Sequence, residues 1–254
     1  MANTKIPNEL LEIGAKAFGT SSIMIGDTAT GTISGANYNT GLGVDVFAAL
    51  TTGDYNVAIG YQALTANTTA SNNVAIGGAA LAANTTGTMN IAMGRNALYA
   101  NTTGDSNTAL GHDALGQNTT ADSNTAIGKD ALKVNTTGTE NTAVGSASLD
   151  ANTTASYNTA VGYNALTANT TGADNTGVGR ASLSNNTTGT DNTAVGKGSL
   201  AQNTTASNNT AVGTEALGLN TTGAGNTAVG DQALDANTTA NDNTAMGQSA
   251  LGQN

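Results

Sequence analysis

Residues 158–174 read NTAVGYNALTANTTGAD, and the pattern returns every 17 residues. Asn56, Asn73, Asn90, Asn107, Asn124, Asn141, Asn158, Asn175, Asn192, Asn209, Asn226 and Asn243 keep this spacing without a slip. Asn39 and Ser22 extend the series backwards, so 14 units run from residue 22 to the C-terminus. A short fixed period means a stack of identical supersecondary units, each touching only its neighbours. Such a rod supplies reach, rigidity or multivalent display, and is a poor place for a single catalytic pocket.

Each unit is numbered here from its Asn, positions 1 to 17. Position 2 is Val, Ile or Thr (Val57, Val74, Ile91, Thr108) and position 3 is Ala or Gly in nearly every unit. Position 4 is always large and apolar: Ile59, Ile76, Met93, Leu110, Ile127, Val144, Val161, Val178, Val195, Val212 and Val229. Alternation at positions 2 and 4 reads as a short strand turning one face inward. Position 5 is always glycine, including Gly60, Gly77, Gly94, Gly111, Gly128, Gly145, Gly162, Gly179, Gly196, Gly213 and Gly230. Glycine just after a strand marks a turn with positive φ, or a backbone too crowded for a Cβ. Position 8 is small. Position 9 is Leu64, Leu81, Leu98, Leu115, Leu132, Leu149, Leu166, Leu183, Leu200, Leu217 and Leu234, after Phe47 earlier in the chain. A second short strand is expected there, placing this leucine in a core shared with position 4. The motif N-T-T-G or N-T-T-A follows as a turn. Positions 2, 4 and 9 do not follow a helical period.

The expected fold is all-β: a parallel β-solenoid of about 14 coils, 17 residues per coil, over residues 22–254. The roughly 4.8 Å strand spacing makes this a rod of about 65–70 Å. Asn at positions 1 and 12 can form amide ladders along the stack. Residues 1–21 form a separate cap or attachment segment. There Ile6, Leu10, Ile13 and Ala17 share one helical face, which predicts a short helical cap over the first coil, or a docking segment for a virion or baseplate partner. Two or three large apolar residues per coil make a thin core, so lateral association of several copies is expected.

Composition narrows the function classes. Leu, Ile, Val and Phe total 40 of 254 residues, too few for an ordinary packed globule. Only 9% of residues are charged, however, so the charge signature of disorder is missing. The chain has no cysteine and hence neither disulfides nor thiolate metal sites. A net charge of −10 with seven Lys and Arg argues against nucleic-acid binding. There is no apolar run of membrane-spanning length and no signal-peptide pattern.

Residues with chemical potential recur without a catalytic constellation, and no enzyme, cofactor or metal site is expected. His112, the one histidine, sits at the variable position 6, a solvent-facing turn. Eleven N-T-T triplets match the N-glycosylation acceptor pattern, but read better as an Asn-ladder turn. Acidic residues recur at positions 16 and 17 (Asp54, Asp105, Asp122, Glu140, Asp174, Asp191, Asp242). They read as a solubilising edge rather than calcium ligands, because many coils lack them. Tyr38, Tyr55, Tyr61, Tyr99, Tyr157 and Tyr163 occupy variable positions. They are expected to pack between neighbouring rods, with stacking on a cell-surface glycan as the alternative.

The units N-V-A-I-G at Asn56 and Asn73, and N-I-A-M-G at Asn90, resemble the head repeats of trimeric autotransporter adhesins. That resemblance implies a parallel β-roll assembled as a trimer, though the adhesin repeat is shorter than 17 residues. The array N-T-A-V-G-x-x-A-L-x-x-N-T-T-G resembles segments of bacteriophage tail fibres, and the start M-A-N-T-K-I-P resembles the N-termini of phage appendage proteins. Together they imply a non-catalytic fibre or adhesin shaft, on a virion appendage or an extracellular surface. The absence of an export signal favours the phage member of the pair. Two other readings remain. One is a filament joined end to end. The other is an ice-binding solenoid, against which the adjacent threonines of N-T-T point to opposite faces.

Overall fold

The computed structural model describes residues 15–16, 22–25 and 35–252. It is a parallel β-solenoid, and no described residue is helical. One strand per coil forms a single sheet whose strands follow chain order. β1 (Ala15–Lys16) pairs antiparallel with β2 (Ile23–Ile25). From β2 onwards every pairing is parallel and in register, ending at β15 (Thr244–Met246). Thr159, Ala160 and Val161 of β10 thus lie opposite Thr142, Ala143 and Val144 of β9 on one side, and Thr176, Gly177 and Val178 of β11 on the other. Fourteen parallel strands at about 4.8 Å make a stack of about 62 Å. The segment at Ala15–Lys16, expected to be helical, is a strand that pairs with the first coil. Ile6, Leu10, Ile13 and Ala17 lie outside the described residues.

Each strand covers positions 2 to 4, and its middle residue points inward. Ala58, Ala75, Ala92, Ala109, Ala126, Ala143 and Ala160 are fully buried. The expectation that position 4 faces the core is therefore corrected. Ile59, Ile76, Met93, Leu110, Ile127, Val144, Val161, Val178, Val195, Val212 and Val229 stand half-buried to exposed on the outer face, with Val161 37% exposed. The cause is volume. Leucine at position 9 and the small residue at position 8 already fill the coil opposite the strand, leaving room for about one methyl group. A Cβ built on Gly177, which replaces that alanine, would meet Leu166 Cδ1 at 3.3 Å. Where Phe47 and Val46 take positions 9 and 8, position 3 shrinks to Gly41, whose Cβ would lie 3.1–3.2 Å from Val46, Phe47 and Met24. In that coil the larger residues at positions 8 and 9 are offset by the smaller one at position 3.

The second strand does not form. Positions 6 to 11 are a run of turns, although axial hydrogen bonding continues through them, as in Leu166 N–H to Ser182 C=O at 3.0 Å and Ala168 N–H to Ser184 C=O at 3.1 Å. The leucines still point inward: Leu64, Leu81, Leu98, Leu115, Leu132, Leu149, Leu166, Leu183, Leu200, Leu217 and Leu234 are fully buried. They do so from a left-handed backbone, with φ near +50 throughout and +52 at Leu166. That conformation costs a non-glycine residue about 1–2 kcal/mol. Removing a buried leucine side chain costs about 2–5 kcal/mol. Packing outweighs the backbone term, so leucine holds a position where local preference alone would select glycine.

Position 5 does require glycine, on two grounds. Gly162 has φ +139, and a Cβ there would lie 2.5 Å from the carbonyl oxygen of Gly179 in the next coil. The same approach recurs at Gly60, Gly77, Gly94, Gly111, Gly128, Gly145, Gly179, Gly196, Gly213 and Gly230.

Two files of buried asparagine complete the interior. At position 1, each Oδ1 accepts the backbone N–H of the next coil's asparagine (Asn175 N to Asn158 Oδ1, 3.0 Å). At position 12, each Nδ2 donates to the Oδ1 one coil back (Asn169 to Asn152, 3.1 Å). Both amides also donate to the position 15 carbonyl of their own coil: Asn158 and Asn169 each reach Gly172 O at 2.9 Å. Ser22 takes the asparagine's place in the first unit, its Oγ accepting Asn39 N–H at 2.9 Å.

Two outcomes follow from this packing. Gly162→Val is expected to lower stability by about 3 kcal/mol or more, because strain and a backbone clash act together; chemical denaturation reads this. Asn158→Asp is expected to destabilise more than Asn158→Ala. A buried carboxylate cannot donate to Gly172 O and instead repels it. The ranking of midpoints for the two variants checks the direction of the ladder.

Candidate interaction face

The outward side of the sheet is a regular surface that repeats in every coil. Its position 4 file runs unbroken from Ile25 through Leu42 to Met246 and is apolar in every coil. Position 2 runs beside it. The position 2 file is Val57, Val74 and Ile91 in three early coils, then Thr in nine successive coils from Thr108 to Thr244. Strand residues two apart point to the same side, so each coil adds one pair to an in-register array. Leu42 (47%), Met93 (39%) and Leu110 (39%) are among the most exposed of these side chains. A contiguous apolar file of this kind makes the face a candidate interaction surface.

Rings flank this face. Tyr55 at position 17 and Tyr61 at position 6 bracket strand β4 (Val57–Ile59) and are both exposed. The ring pair that forms runs along the stack rather than across the strand. Tyr38 and Tyr55 stack with centroids 4.8 Å apart and planes 12° from parallel, the separation that the coil repeat itself imposes.

Titratable groups gather on the turn side at positions 6, 7 and 10. His112 Nδ1 lies 3.0 Å from Asp113 Oδ2. Lys129 and Lys133 approach Asp130 at 3.3 and 3.0 Å. Burial alone would push the Asp130 carboxyl up, but the two ammonium groups outweigh it and hold it below the usual carboxylate range. Asp130 in turn raises Lys133. His112, Asp113 and Asp130 form the one three-residue group of metal-ligand type among the described residues. The lysines already neutralise the carboxylate a metal ion would need, and Asn96 Nδ2 occupies Asp113 Oδ1 at 2.9 Å. His112 is exposed.

The N-T-T asparagines and the position 16 carboxylates have structural partners. The N-T-T asparagines are the buried position 12 ladder, Asn67 to Asn237, none more than 5% exposed, so the folded coil withholds their amides from glycosylation. At position 16, Asp54 Oδ1 accepts Asn37 N–H at 2.6 Å, and Asp122 Oδ1 accepts Asp105 N–H at 2.7 Å. These carboxylates cap backbone donors between coils. What the sequence reading missed is the outward direction of position 4. The available signal was the alanine between the large residues: a strand with one methyl group on one side and two bulky groups on the other has a full interior.

Comparison with protein-family models, curated proteins and solved structures found no match.

Asp150 supplies a test of the electrostatics. Burial pushes its carboxyl up, against a smaller pull from Lys133, and its Oδ1 is enclosed without a hydrogen-bond partner. A carboxyl raised in the folded state binds its proton more tightly there than in the unfolded chain. Ionised Asp150 therefore destabilises the fold, and stability is regained as pH falls through its folded value. Asp150→Asn is expected to melt higher than the parent at neutral pH. The difference should shrink towards about pH 3, where the acid is protonated in both states. Paired thermal melts across this range check it.

Proposed function

We propose that this chain is a non-catalytic shaft or head segment of a fibre, in which copies associate side by side through the outward faces of their sheets. The observation behind this reading is the unbroken apolar file at position 4, left on the surface of a rod whose own interior is already full. A stack of thin coils gains most by covering that face. A second copy of the same chain offers an apolar file of the same 17-residue repeat, so each coil can meet an equivalent coil. Three copies around an axis is the arrangement implied by the resemblance of N-V-A-I-G and N-I-A-M-G to trimeric adhesin heads. The resemblance to phage tail fibres supports placing the assembly on a virion appendage or an extracellular surface. A role for residues 1–21 in attachment to a virion or baseplate partner belongs to the same reading. No catalysis is proposed, because the cluster of titratable groups around Asp130 is tied up in mutual ion pairs.

One observation favours a second reading. The nine successive threonines at position 2 share the outward face with aliphatic residues at position 4. A flat array of hydroxyl and methyl groups at the strand spacing is a surface that can order water as ice. The two readings separate in solution, because thermal hysteresis requires this face to be free.

Sedimentation of the parent chain is expected to give a mass near three times 24.8 kDa. The double change Val144→Lys and Val161→Lys puts charges on the outer face without touching the interior. It should yield single chains with an unchanged circular dichroism spectrum. A parent that sediments as a single chain at all concentrations would overturn lateral association.

A further inference from the structure

The turn side carries a second feature, on different positions from the sheet face. Position 10 runs Thr65, Ala82, Tyr99, Gly116, Lys133 through five successive coils. Tyr99 is thus bracketed along the stack by two of the smallest residues. A hollow opens on each side of it. The hollow towards the N-terminus, about 340 Å³, is lined by Gln62, Thr65, Ala82, Ala83, Tyr99 and Ala100. The hollow towards the C-terminus, about 170 Å³, is lined by Asn96, Tyr99, Asp113, Gly116, Gln117 and Lys133. Together they form a furrow along the rod spanning four coil steps, about 19 Å. Tyr99 is 50% exposed and forms the ridge between them.

We propose that this furrow binds a neutral linear glycan, with Tyr99 as its stacking platform. Three observations select that ligand. First, the hollows on both sides leave the surroundings of this ring open, unlike Tyr38 and Tyr55, which cover one another. An open aromatic face, negative at its centre, accepts the positively polarised C–H face of a pyranose ring. Second, the Gln117 amide and the amide oxygens of Gln62 and Asn96, whose NH2 groups donate to Asp45 Oδ2 and Asp113 Oδ1 at 3.4 and 2.9 Å, line the hollows beside it, a donor and acceptor set suited to hydroxyls. Third, the charge excludes the other class of ligand that stacks on tyrosine. The net charge is −10, and the furrow's one cation, Lys133, is held by Asp130 at 3.0 Å. Nothing there neutralises the phosphates of a nucleic acid. A comparable hollow farther along the same columns, lined by Gly198, Gly218 and Leu219 among others, contains no aromatic residue and so lacks the platform. The furrow lies on positions 7, 10 and 11 rather than 2 and 4, so this inference does not depend on lateral assembly.

The test is affinity electrophoresis of the full chain under non-denaturing conditions, in gels containing hydroxyethyl cellulose, α-mannan or galactomannan, with polygalacturonate as an anionic comparison. The parent is expected to be retarded by at least one neutral polymer. Tyr99→Ala should weaken that retardation by about tenfold or more. Tyr99→Phe, which keeps the ring, should retain it, and Tyr163→Ala, exposed but outside the furrow, should match the parent. Sedimentation of each variant reports assembly separately, so a change in oligomeric state is not mistaken for a change in binding. Retardation of the parent by no neutral polymer, retardation by polygalacturonate alone, or equal retardation of Tyr99→Ala and the parent would each overturn the proposal.

Discussion

In most coils the position 15 carbonyl receives two amide donors, one from the buried asparagine at position 1 and one from that at position 12. In the coil that begins at Asn158, Gly172 O takes both at 2.9 Å. This pair of bonds ties three distant points of the 17-residue loop together. Through Oδ1 the same side chains bond the neighbouring coils. The loop between positions 12 and 17 contains no strand, so its backbone groups need partners of another kind. The asparagine side chain supplies them, with a donor and an acceptor on one short stem. Each satisfied bond adds about 1 kcal/mol, while each one broken inside the coil costs about 1–3 kcal/mol. The period is held at 17 because a single insertion would misalign both files at once.

Once the asparagines occupy one side of the interior, the apolar core has little space left. Leucine at position 9 fills most of it, and the strand can contribute only a methyl group. The coil solves this with a left-handed leucine on the turn side and alanine on the strand side. The close approach of glycine to glycine at position 5, 2.5 Å from a notional Cβ on Gly162 to Gly179 O, brings successive turns near enough for their carbonyls and amides to bond along the axis. The same shortage of space directs the bulky strand residues outward, which leaves the rod with an apolar side.

The exterior therefore has distinct faces from one repeated motif. The sheet face is mostly β-branched and nearly identical from coil to coil. The turn face varies: position 7 runs from Ala79 through Asn96 to Asp130, and position 10 from Gly116 to Tyr99. Variation is tolerated there because those side chains are not needed to fill the coil. Such positions can differ from one coil to the next while the interior repeats unchanged.

The parallel solenoid, its 17-residue coil, the glycine at position 5, the inward leucine and the asparagine ladders could be read from spacing alone. A strict period forces equivalent residues to stack, and stacked equivalents reveal their roles by what never varies. Three features could not be read that way. The side of the strand that faces inward depends on how much volume the rest of the coil already occupies, and periodicity of two is the same for either choice. The second strand at position 9 fails because alternating backbone handedness lets Leu166 reach the core from a turn, a choice made by packing against local preference. The pairing of β1 with β2 likewise came only with the fold, since Ala15–Lys16 lie in a stretch whose apolar residues, Ile6, Leu10, Ile13 and Ala17, follow a helical spacing. The sequence by itself determined what repeats and how often. The tertiary structure decided which surface of each repeat is buried, because only the filled coil shows how much room remained.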